Sequence, residues 1–209
     1  MAELASDGGR DGPIEWAIKG RALRGEAVSG DARVALATPA GMLLGVIDGL
    51  GHGPEAADAA AQAVEVLSAH PSEPVGELVD RCHLALHATR GVAMSIAALD
   101  VDGRELEWVG VGNVESILLR ERAARGDDGA LLLRGGVVGY RLPPLRPARV
   151  QLRPGDTLVM ASDGVDPAFA WQVDRLTAPA PLARRLLERH ARDSDDALVL
   201  VARYHPDPR

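Results

Sequence analysis

Aromatic residues make up only 3% of this 209-residue chain, with three Trp, two Tyr and one Phe. Any core must therefore be built from Leu, Val and Ala, and the 46% hydrophobic content is enough for a sizeable one. There is a single cysteine, Cys82, so no intrachain disulfide is possible and a reducing compartment, the cytoplasm, is expected. Lys19 is the only lysine, which removes any Walker-type phosphate loop, since no glycine-rich stretch is followed by Lys. Positive charge is in short supply overall: 23 basic residues face 30 acidic ones, for a net charge of -7. Nucleic acid and anionic membrane are thereby disfavoured as partners. No run of apolar residues reaches the length of a transmembrane helix. Met1 to Gly12 holds Asp7, Arg10 and Asp11 without an apolar stretch; it does not read as a signal peptide, and residues 1–13 are expected to form a flexible tail.

What is present is a β-rich pattern with two helices inserted early. Ile14 to Lys19, Ala32 to Thr38 and Met42 to Ile47 read as strands, the last two joined at the Pro39-Ala40-Gly41 turn. Pro54 opens an alanine-rich helix to about Ala69, and a second helix is expected over Val75 to Thr89. From there the period is two: Val92 to Leu99, Glu105 to Val111, Glu115 to Leu119, Leu131 to Leu133, Val150 to Leu152, Thr157 to Ala161 and Ala197 to Tyr204. Asp102-Gly103 marks a hairpin turn, Arg120 to Gly129 an exposed loop, and Pro181 to Ala191 a last helix. Antiparallel sheets covered by helices fit this order better than an alternating βαβ fold, and one domain over residues 14–205 is expected.

The chemistry is concentrated where strands end. The apolar run before Asp48 delivers it into Asp48-Gly49-Leu50-Gly51-His52-Gly53, and Thr157 to Ala161 ends the same way in Ser162-Asp163-Gly164. Asp31 begins a strand after Ser29-Gly30, and Asp195-Asp196 precede the final one. Each aspartate alone is more often a turn or cap residue than a ligand. Together they form an oxygen-only donor set, which suits Mg²⁺ or Mn²⁺ rather than zinc. His83 and His87 have metal-ligand spacing on a helix but lack the glutamate of a zincin motif, and are read as packed or solvated. Cys82 beside them is read as buried and inert. A nucleotide-binding reading of the turn at 49–53 leaves Asp31, Asp163 and Asp195 without a role.

Five stretches carry a family resemblance: Val28-Ser29-Gly30-Asp31, Val46 to Gly53, Val111-Gly112-Asn113, Gly155-Asp156 through Ser162-Asp163-Gly164-Val165, and Asp195-Asp196-Ala197-Leu198-Val199. In order and spacing, across about residues 14 to 204, the chain resembles SpoIIE-type members of the metal-dependent (type 2C-like, PPM) protein serine/threonine phosphatases, in particular the RsbX-like ones of bacterial stress signalling. The resemblance implies an α+β fold, a four-layer αββα sandwich of two antiparallel sheets flanked by helices. It implies two Mn²⁺ or Mg²⁺ ions, with Asp48 bridging both, Asp163 and Asp195 completing one site, and Asp31 and the Gly49 carbonyl completing the other. Asp48 and Asp163 are the catalytic pair by the same correspondence. Two such cations lower the pKa of a shared water for in-line attack on a phosphoserine or phosphothreonine, with no covalent phosphoenzyme.

The implied substrate is a phosphorylated signalling regulator, of the STAS-domain type, in a stress-response or sigma-factor pathway. The histidine that the eukaryotic enzymes carry two residues after the bridging aspartate is absent, since position 50 is Leu; His52 comes later and is given no acid role. The stretch from Asp163 to Asp195 is short beside larger members. No phosphate-binding arginine is identified: Arg21, Arg24 and Arg33 lie near the site in sequence, where solvated arginines are the commoner case. A phosphatase-fold binding or sensor module with weak catalysis is the alternative reading.

Overall fold

The computed structural model describes residues 3–121 and 128–206. In chain order its elements are β1 (Glu3–Asp11), β2 (Ile14–Arg21), β3 (Asp31–Thr38), β4 (Gly41–Gly49), α1 (Pro54–Ala69), α2 (Val75–Ala85), β5 (Val92–Asp100), β6 (Glu105–Val111), β7 (Glu115–Leu119), β8 (Gly129–Ala130), β9 (Ala148–Gln151), β10 (Thr157–Ala161), a 3₁₀ turn (Pro167–Trp171), α3 (Pro179–His190) and β11 (Ala197–Tyr204). The strands form two antiparallel sheets. One runs β1-β2-β11-β10-β7-β8 and the other β3-β4-β5-β6-β9.

Period-two burial explains how the layers stack. Leu44 and Val46 of β4, Leu158 and Met160 of β10, and Leu198 and Leu200 of β11 share one cluster with Trp108, between the sheets. The alternate residues of β4, Leu43 and Ile47, pack with Ala59, Ala63 and Leu67 of α1 and Leu78 and Cys82 of α2. The alternate residues of β10 and β11, Val159, Val199 and Val201, pack with Leu182 and Leu186 of α3. Helices thus cover the outer face of each sheet, giving the αββα sandwich. Small side chains let α1 lie close: Ala56, Ala59, Ala60 and Ala63 are all buried.

The flexible tail expected over residues 1–13 is instead largely the edge strand β1, paired with β2 from Glu3↔Arg21 to Asp11↔Ile14. Its composition hid it. It is polar and charged, as solvent-facing edge strands are, and its Gly9 lies over the Trp16 ring. The second helix ends at Ala85 rather than Thr89, because Leu86 turns into the core and Thr89 folds back to bond the Leu86 carbonyl. The short strand expected over Leu131 to Leu133 falls at Gly129–Ala130, opposite Ile117 and Leu118. Most of the loop expected over Arg120 to Gly129, residues 122–127, lies outside the described residues. Among the described residues no helix is long and apolar enough to cross a membrane.

Candidate functional site

The four aspartates come from both sheets and meet at one end of the sandwich. Asp31 at the start of β3 and Asp48 near the end of β4 are direct register partners. Asp48 follows the parity of Leu44 and Val46, so its side chain lies on the face turned toward the other sheet. That other sheet supplies Asp163, which follows β10, and Asp195, which precedes β11. The carboxylates of Asp48 and Asp163 face each other across the seam closely enough to shift one another's protonation.

Backbone approach sets this convergence. The Gly49 N–H donates to the Gly30 carbonyl at 3.0 Å, and Leu50 N–H to Gly91 at 3.1 Å, closing the turn after β4. A Cβ on Gly49 would collide with the backbone of Ala56, so only glycine lets α1 start this close to β4. Gly164 plays the matching part on the other side, where a Cβ would collide with the Asp196 carbonyl. The two Asp-Gly pairs are therefore close-approach points, each holding its aspartate beside a second element. Gly164→Ala is expected to destabilise the fold by about 1–3 kcal/mol through forced overpacking. It should also weaken divalent-cation binding, because it wedges Asp163 from Asp195; urea unfolding and a cation titration of the variant check both.

Further side chains tie the sheets together around the carboxylates. The Ser162 hydroxyl donates to Asp31 Oδ2 at 2.7 Å and accepts the Leu198 N–H at 2.9 Å. Asn113 Nδ2, just past β6, donates to Asp163 Oδ2 at 2.5 Å. Asp196, buried beside Asp195, accepts the Leu23 N–H at 2.7 Å and the Gly30 N–H at 2.8 Å, which fastens the 22–30 loop to the start of β11. His52 Nδ1 lies 2.7 Å from Glu26 Oε1 and joins the turn at 49–53 to the same loop. Of these, Asn113, Ser162 and Asp196 fell within the motif stretches but were given no role from sequence. Period two gives a signal for two of them: Ser162 continues the inward positions 158 and 160, and Asp196 precedes the inward positions 198 and 200.

Gathering four carboxylates has an electrostatic cost. Burial, with the charges of Asp196, Asp163 and Asp195 adding to it, pushes Asp31 from 3.8 up to about 8 against the opposing Ser162 bond. Burial, followed by Asp31, Asp163 and Asp195, pushes Asp48 up to about 9. Burial, followed by the charge of Asp195, raises Asp163, while Asp48 and the nearby Arg192 guanidinium oppose the rise. The carboxylates are near neighbours, yet among the described residues no three His, Cys, Asp or Glu side chains stand at the spacing of a closed ligand shell. The donor chemistry still fits hard divalent cations: oxygen ligands only, partly dehydrated, with negative charge the surrounding protein does not neutralise.

The residues set aside on sequence grounds are committed elsewhere. His83 Nδ1 accepts the Gly139 N–H at 2.9 Å, and His87 Nδ1 sits 3.0 Å from the Leu84 carbonyl. Cys82 is buried and its thiol is pushed up to about 12, so it is not a thiolate at neutral pH. Arg33 pairs with Asp7, and Arg21 bonds the Arg192 carbonyl and Asp193.

Comparison with known proteins agrees with this architecture. The family described as Stage II sporulation protein E (SpoIIE) matches residues 38–205. The phosphoserine phosphatase RsbX of Bacillus subtilis (strain 168) is 31% identical over 94 residues, a match spanning 45% of this chain and 47% of that protein. A structure solved in work on the bacterial stressosome, as a modular system adapted to control secondary messenger signalling, is 29% identical with a TM-score of 0.83, over 91% of this chain and 99% of that one. RsbX in complex with magnesium shares the fold at a TM-score of 0.86 and 19% identity, over 96% of this chain and all of that one. The chain belongs to the SpoIIE family and is an RsbX-like member of the type 2C-like phosphatase fold.

Proposed function

We propose that this protein is a metal-dependent phosphoprotein phosphatase that hydrolyses phosphoserine or phosphothreonine on a regulator of a partner-switching, stress-response pathway in the cytoplasm, a STAS-domain protein being the leading substrate class. The observation that carries this reading is the meeting of Asp31 and Asp48 from one sheet with Asp163 and Asp195 from the other, at a cost in pKa that a cation would relieve. Phosphatase chemistry is what the family carries, and a similar protein, RsbX, is a phosphoserine phosphatase.

Asp31, Asp48, the Gly49 carbonyl, Asp163 and Asp195 would hold two Mg²⁺ or Mn²⁺ ions. Bound there, the pair supplies an activated water and neutralises charge on the phosphoryl group. The protein's own residues prepare the site. Asp48 sits at the seam, beside Asp31 on its own sheet and close to Asp163 of the other, where its carboxylate would help to hold the ions. Ser162 engages Asp31 Oδ2 and so orients the carboxylate that would help to hold an ion. Asn113 does the same for Asp163, whose Oδ2 it holds. Ser162 itself is buried with both hydrogen-bonding directions used, so it is no nucleophile, and direct attack by water agrees with that.

The test is hydrolysis of p-nitrophenyl phosphate and of a phosphoserine peptide by the full chain, with Mn²⁺, with Mg²⁺ and with excess chelator. Turnover is expected with metal, lost with chelator and recovered when metal is restored. Absence of turnover under every metal condition would overturn the reading and leave a binding module on a phosphatase fold.

A further inference from the structure

We propose that Arg192 is the phosphate-binding arginine of this site, contacting the dianionic phosphoryl group of the substrate from the rim beside Asp163. The inference rests on the phosphatase reading above and names a residue that sequence position did not single out. Its geometry separates a fixed backbone from a loosely held side chain. The Arg192 N–H donates to the Gly164 carbonyl at 2.8 Å, and the Arg192 carbonyl accepts from Arg21 Nη2 at 2.7 Å. The residue is thus pinned one position beyond Asp163 on one side and by a partly buried arginine on the other.

Its guanidinium is held only loosely. Nη1 lies 3.4 Å from the Asp163 carbonyl oxygen and Nη2 lies 3.6 Å from Asp166 Oδ2, with 47% of the side chain exposed. Asp166 is already engaged through Oδ1, which accepts the Ala168 N–H at 2.9 Å. A planar fork with five donors matches a phosphate dianion far better than these two long contacts, and a phosphoryl oxygen would displace them readily.

Three other arginines around the acidic end are spoken for, while Arg24 lies on the loop that Asp196 fastens rather than beside Asp163. Arg21 bonds Arg192 and Asp193, Arg33 pairs with Asp7, and Arg90 pairs with Glu55. The guanidinium lies against the main chain of Asp163, so its positive charge stands beside the acidic end. A phosphomonoester brought up to cations held by Asp163 and Asp195 would therefore meet this guanidinium at the rim.

The experiment compares the parent with Arg192→Ala, Arg192→Lys and Arg184→Ala, the last removing an equal charge from an exposed position on α3. Three quantities are read with Mn²⁺ present: kcat and KM on a phosphoserine peptide, inhibition by inorganic phosphate, and the Mn²⁺ midpoint from a thermal-shift titration. Losing a charge-assisted contact to phosphate should lower kcat/KM by about 10- to 100-fold in Arg192→Ala. Phosphate inhibition should weaken in step, the lysine variant should recover part of both, and the Mn²⁺ midpoint should not weaken. Arg184→Ala should match the parent.

An active parent with unchanged kinetics and phosphate inhibition in Arg192→Ala overturns the assignment and leaves the phosphatase reading standing. The same holds if Mn²⁺ binding weakens in proportion to activity, or if Arg184→Ala loses as much as Arg192→Ala. A parent without metal-dependent turnover overturns both.

Discussion

Asp48→Asn is expected to lower kcat/KM by at least about 1,000-fold, some 4 kcal/mol of transition-state stabilisation, while leaving the metal-free protein at least as stable as the parent. The two halves of this result have one cause. Asp48 lies at the seam between the sheets, beside Asp31 and close to Asp163, so a cation held there would draw on its charge. The same charge is unfavourable without a cation, because burial and three neighbouring carboxylates raise its pKa to about 9. Asparagine keeps the shape but carries no charge to desolvate.

A residue that served only the fold would behave in the opposite way, losing stability when replaced. Steady-state kinetics with Mn²⁺, set beside a melting curve in chelator at pH 8, gives both readings on one preparation. Retained activity would remove Asp48 from the centre. Lost activity together with a lower melting temperature would make the effect one of folding, as happens when a site is built at no cost to stability.

Much of this site was legible in the sequence because its aspartates sit at the ends of apolar runs. The run to Ile47 and the run to Ala161 both end in Asp-Gly, and both glycines prove to be points where another backbone comes too close for a Cβ. Period two carried the sandwich as well, since alternate residues of β4, β10 and β11 divide cleanly between the central layer and the helix-covered faces. What stayed hidden depends on partners far away in the chain. Arg21, Arg24 and Arg33 looked closest to the site by sequence, but the guanidinium beside Asp163 belongs to Arg192. It is brought there by a backbone bond to Gly164 that no local pattern encodes. Edge strand β1 stayed hidden for another reason: its pairing is made by main chain, and its side chains have the composition of a tail.

In excess chelator the protein is expected to lose stability steadily as pH rises from about 5 to 9, and the protection given by Mg²⁺ or Mn²⁺ is expected to widen over the same range. The sign follows from the direction of the shifts. Asp31 and Asp48 have folded pKa values near 8 and 9, above the ordinary 3.8, so between those limits the folded state holds protons that the unfolded chain has released. Stability then falls with rising pH, by about 1.4 kcal/mol per pH unit for each proton retained on folding. This is the reverse of a protein whose carboxylates are paired with cationic side chains, which weakens toward acid.

Cations compete with those protons. At pH 6 a divalent ion must displace them from Asp31 and Asp48, whereas at pH 9 the carboxylates are largely free to ligate, so apparent affinity climbs with pH. Melting curves at pH 6, 7, 8 and 9, each with chelator and with millimolar Mg²⁺ or Mn²⁺, separate the two effects. A metal-free melting temperature that is flat or rises across this range would mean that the carboxylates do not gather as one acidic cluster. A metal-induced shift that stays constant while the metal-free curve falls would place the ions elsewhere on the molecule.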